Sequence, residues 1–165
     1  GLDLIASNAG RLADLGMLVI AGGLATSLSS PVWGRLGDRS ARWVMVWAAI
    51  AAGLLGVVTA ALAFQDAAIL SHGLTHAVLF LLLVTAHSGV RLGRKVYLVD
   101  MATQETRAAM VAVSNTVIGV MMLFGGLIGF LGDRLGTAAV ILILGLASFL
   151  AAGYAFGLRE VSEPE

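Results

Sequence analysis

The segment Gly34-Arg35-Leu36-Gly37-Asp38-Arg39-Ser40-Ala41-Arg42 sets four charged residues between two long stretches that have almost none. Before it, Asp14 to Trp33 gives about twenty residues with no charge after the first. After it, Val44 to Phe64 is an uncharged, predominantly apolar run of 21 residues. A bilayer core about 30 Å thick takes about 20 such residues of helix to cross. Lipid offers the backbone no hydrogen bonds, so a run of this kind crosses as a helix. A short basic turn between two such runs predicts an all-α, polytopic transmembrane helical bundle with that turn on the cytoplasmic face.

Composition agrees. Hydrophobic residues make up 59% of the chain and charged residues 12%, about half the charged share of a soluble domain. So few charges could not cover a water-soluble fold. A net charge of zero and the lack of cysteine suggest neither a nucleic-acid partner nor a disulfide framework. The 21 glycines and two prolines fit closely packed membrane helices. The chain starts at Gly1 without the pattern of a signal peptide, and reads as a fragment.

Residues 1–13 mix polar and apolar positions and read as an external loop or the end of a preceding helix. Five spans follow, at about 14–33, 44–64, 77–99, 108–131 and 136–158, making residues 14–158 one membrane domain. The third requires its helix to run on through Arg91, Arg94 and Lys95, because Ala77 to Val90 alone is too short to cross. Gly132 to Leu135 reads as a tight outer turn, and residues 159–165 as an acidic cytoplasmic tail. Of the ten Lys and Arg residues, eight (Arg35, Arg39, Arg42, Arg91, Arg94, Lys95, Arg107 and Arg159) fall on one side of this arrangement. Arg11 and Arg134 fall on the other, which puts the C-terminus inside a cell (inner or plasma) membrane.

The basic turn resembles the loop between the second and third helices of each half of major facilitator superfamily transporters. That pattern is Gly, three residues, Asp-Arg, one residue, Gly, then two basic residues. Gly34, Asp38, Arg39 and Arg42 fall on it, while Ala41 and Trp43 depart from it as the copy in the family's C-terminal half often does. The string from Gly129 to Gly136 matches part of the pattern on the opposite face, so the resemblance rests on motif, topology and hydropathy together. It implies a partial superfamily fold, most of a six-helix C-terminal half, whose other half lies elsewhere in the same polypeptide. It also implies a permease that moves a small solute by alternating access, with Asp38 and its neighbours in a conformational lock and no cofactor. The bland reading of that turn is a plain solvated loop.

The spans hold few polar side chains. At helical spacing His87, Arg91, Arg94 and Leu98 share a stripe, with Lys95 at its margin. Ionisable residues at membrane depth usually face a polar cavity or a partner, and a cationic stripe favours an anionic or polar solute. Arg94 and Lys95 read equally well as headgroup anchors. His87, with an unperturbed pKa near about 6.5, reads as a proton carrier or as a histidine bonded to a neighbouring carbonyl. Asn115 reads as a substrate contact or, more commonly, an interhelical bond, and glycines four apart (Gly89 and Gly93, Gly125 and Gly129, Gly153 and Gly157) as packing faces.

No phosphate loop, paired carboxylates or activated serine is visible, so catalysis is not expected. His72 and His76 have metal-pair spacing without a convincing third ligand, and no metal is expected. The alternative of a different class is a non-transporting membrane scaffold or assembly subunit docking through its small-residue faces.

Overall fold

Ser40 divides the first two helices. Its extended backbone (φ −165°, ψ 107°) stops α1 (Leu2–Gly37), and its Oγ accepts a bond of 3.2 Å from Trp43 N, capping α2 (Ala41–Phe64). The structure, a computed structural model, describes the backbone of residues 2–161 and side chains from Leu15 onward. Within those bounds residues 2–13 continue α1 as helix. Residues 162–165, the acidic end of the expected tail, lie outside the described residues.

A short 3-10 turn (Ala68–Ser71) leads from α2 to α3 (Gly73–Met101), which carries Arg91, Arg94 and Lys95 within one unbroken helix. The fourth span is broken into α4 (Arg107–Leu123) and α5 (Gly125–Leu135) at Phe124, where the Gly125-Gly126 pair follows. The outer turn is tighter than expected: Gly132 to Leu135 stay helical, and Gly136 alone reverses the chain into α6 (Thr137–Phe156). Its φ of 83° is a conformation glycine adopts without strain. Five helical spans are long and apolar enough to cross a bilayer, and no strand occurs among the described residues.

α2 is the central element, packed most extensively on α6 and then on α3, while α1 rests on α3. The buried positions are mostly small: Ala41, Ala48, Ala49 and Ala60 on α2, Gly89 and Gly93 on α3, Gly145 and Ala152 on α6. With lipid as apolar as any side chain, close backbone approach rather than water exclusion holds such helices together. At the α2–α6 crossing backbone meets backbone: a Cβ on Gly56 would lie 2.9 Å from Gly145 Cα. Of the glycine pairs expected as packing faces, Gly89 and Gly93 do meet neighbours, whereas Gly125, Gly129 and Gly153 have none within 4 Å of an added Cβ. The α4–α5 rod makes few contacts, and none of its apolar window is buried.

Candidate functional site

The polar side chains of the spans gather where α1 meets α3. Trp33 Nε1 donates to Thr85 O at 3.0 Å, and the Ser29 and Ser88 hydroxyls lie 3.1 Å apart, so the two helices are stitched at this level. Each hydroxyl has one proton, so one of the pair donates across the seam while the other donates to the carbonyl three residues back, Ser88 to Thr85 O (2.8 Å) or Ser29 to Thr26 O (3.1 Å). Gly89 lets the stitch close, because a Cβ there would fall 2.8 Å from Trp33 Cε2 and 2.9 Å from Ala48 Cβ.

Beside this seam run two adjoining cavities. One, of about 230 Å³, is lined by Thr26, Ser30 and Trp33 of α1 and by Ser88, Arg91 and Lys95 of α3. The other, of about 480 Å³, shares Thr26 and Arg91 with it and continues along α3 past His87 to Phe80. Together they form a groove with an apolar stretch and a cationic end.

Of the residues singled out in the sequence, His87 and Arg91 thus share one surface. Arg94 does not join them: its Nη1 donates to Ser114 Oγ on α4 at 3.1 Å, tying α3 to the fourth span. Asn115 is exposed on α4 and lines neither cavity. The expected stripe therefore divides. Arg91 and Lys95 turn toward α1, and Arg94 turns toward α4.

The basic turn divides in the same way. Gly34 has open space around an added Cβ, and Asp38 and Arg39 are exposed. Arg42, four residues from Asp38, is turned instead to the segment after α6. It lies within ion-pair distance of Glu160 and donates from Nη1 to the carbonyls of Leu158 at 3.2 Å and Phe156 at 3.4 Å. Ser40 Oγ also donates to Glu160, and Tyr97 OH donates to Arg159 O at 3.0 Å. Sequence reasoning missed this clasp, along with Thr26, Ser30 and Trp33 as lining of the groove.

The model of the family described as Major Facilitator Superfamily matches residues 2–165. The chain belongs to the Major Facilitator Superfamily. No curated protein and no solved structure matches it. Superfamily members are membrane transporters rather than enzymes, and five apolar helices make this member a multi-pass membrane protein. In a superfamily protein, a groove between two spans that collects ionisable side chains is the natural place to look for a solute path.

Proposed function

We propose that the chain is part of a secondary transporter, a permease that carries a small solute across a cell inner or plasma membrane by alternating access. The observation that carries this reading is the joint placement of His87 and Arg91 in one groove between α1 and α3. Charged side chains are costly at membrane depth and persist where they meet a polar path or a partner. A scaffold would have no use for that convergence. On this reading the uncovered α4–α5 rod and α1 face a companion six-helix half of the same polypeptide, and rocking of the halves exposes the groove to each side in turn. Transport draws on the gradient of the solute or of protons, with His87 the candidate proton carrier.

The basic end is the cytoplasmic one, with the C-terminus on the same side. There Asp38 and Arg39, held by the turn that begins at Gly34, stand ready for the other half, and Arg42 braces the turn against the tail. The test is flux: the full-length protein in sealed vesicles should take up at least one member of a small-solute panel saturably and without ATP. Uptake equal to that of protein-free vesicles across the panel would contradict the reading.

A further inference from the structure

We infer that the basic end of the α1–α3 groove binds the carboxylate or phosphate group of a small anion, and that this anion is the transported solute, an assignment that rests on the transport reading above. Arg91 and Lys95 are four residues apart on α3, so they occupy one helix face, and both line the smaller cavity. No Asp or Glu lines either cavity. Among the described residues neither cation has a hydrogen bond or an ion pair, in contrast to Arg94 on Ser114 and Arg42 on Glu160. Two exposed cations near the basic end of α3 are therefore left without a counter-charge among the described residues, and the group that best offsets them is an anion that Arg can hold in a bidentate fork.

Across the groove, Thr26 and Ser30 present hydroxyls with no hydrogen-bond partner among the described residues, a second pair of donors facing the same space. At about 230 Å³ the cavity has room for the anionic group, and the adjoining cavity of about 480 Å³ for an apolar remainder of the solute. The depth of the smaller cavity fits a path that opens at the basic end. A Cβ on Gly89 would meet Trp33 and Ala48, and one on Gly93 would meet Ala41 O, the first residue of α2. Arg91 thus lies about half a turn, roughly 3 Å, inside the start of α2, with Lys95 as far beyond it. A lipid headgroup offers the same chemistry from the bilayer, so the test must tell the two sources apart.

Trp33 lines the cavity and the other tryptophans of this sequence are Trp43 and Trp47, so replacing these two, and every tryptophan elsewhere in the full-length protein, by Phe leaves a reporter at the site. The full-length protein in nanodiscs of phosphatidylcholine would be titrated with acetate, succinate and inorganic phosphate, with glycerol and choline as neutral and cationic controls. Thermal shift of the protein with its tryptophans intact in the same solutes gives a second readout that does not depend on the variants.

The expected result is a saturable response to at least one anion and to neither control. The apparent Kd should weaken at least about tenfold in Arg91→Gln and in Lys95→Gln but not in Arg94→Gln. A response that requires added phosphatidylglycerol and no free anion would assign the site to lipid and overturn the solute assignment. No response to any anion, or one unchanged in Arg91→Gln, overturns the inference as a whole. Vesicle uptake separates its failure from that of the transport reading. A neutral solute carried equally well by Arg91→Gln would sink the anion site alone, whereas anion binding without any flux would sink transport alone.

Discussion

Arg42 Nε lies 3.4 Å from Glu160 Oε2, joining the start of α2 to the segment that follows α6. The contact is an ion pair rather than a hydrogen bond, since Arg42 Nε has no partner in hydrogen-bonding geometry. The hydrogen bonds come from Nη1 to the Leu158 and Phe156 carbonyls, while the guanidinium stacks 5.4 Å from the Trp43 ring centroid. Behind it, Ala41, Met45, Val46, Tyr97 and Ala155 form a buried cluster on which Leu158 and Val161 pack. The tail thereby closes the basic end of the bundle.

Removing either partner should loosen that end. With side chains 22% and 18% exposed, the pair is only partly screened, and ion pairs near a surface contribute up to about 1 kcal/mol. Arg42→Gln and Glu160→Gln should each lower the melting temperature in detergent. The double variant should lose less than the sum of the two, with a coupling of about 1 kcal/mol. Strict additivity would show that the contact is idle.

The α2–α6 crossing should reject side chains at Gly56 and Gly145. An added Cβ would meet backbone at 2.9 and 3.0 Å, and backbone cannot rotate away. Gly56→Ala and Gly145→Ala should destabilise by about 1–3 kcal/mol despite the helix propensity gained. Gly129→Ala and Gly153→Ala, with nothing within 4 Å, should be neutral or stabilising by thermal melt.

Asp38 is exposed at the basic end and makes no side-chain hydrogen bond among the described residues. If it serves the conformational lock, Asp38→Asn should slow transport severalfold while leaving solute binding nearly unchanged. Loss of binding instead would place its role in the solute site.

The turn at 38–40 and the link at 65–72 lie at opposite ends of α2. These 165 residues hold no cysteine; with any cysteine elsewhere in the protein replaced, Arg39→Cys and Ala68→Cys should therefore react with an impermeant maleimide from opposite sides of the membrane, Ala68→Cys from outside. Labelling of both from one side would break the topology.

The number and order of spans were legible because the run lengths match a bilayer, and no competing fold tolerates such runs. The basic turn was legible as a turn, but not its bonding. Asp38 and Arg42 have the spacing of a local pair, yet Ser40 breaks the helix between them and Arg42 turns to Glu160, far along the chain. Helical spacing put His87, Arg91 and Arg94 within one stripe and could not say that α1 and α4 flank it, which sends Arg91 and Arg94 to different neighbours. Thr26, Ser30 and Trp33 do recur at helical spacing, but nothing in α1 itself says that this face meets α3. The α2–α6 crossing was missed because Gly56 and Gly145 come from distant segments, and only their packing pairs them.

The most direct test of the central claim is access to Thr26, which lines both cavities of the groove, against Leu28, which is 76% exposed and lines neither. Each would be replaced by cysteine in the full-length protein and exposed to an impermeant maleimide from one side of the membrane at a time, with and without transported solute. A transporter of this design predicts that Thr26→Cys is labelled from both sides, with solute shifting the balance, while Leu28→Cys is not. Labelling of Thr26→Cys from one side only, indifferent to solute, would contradict alternating access through this groove.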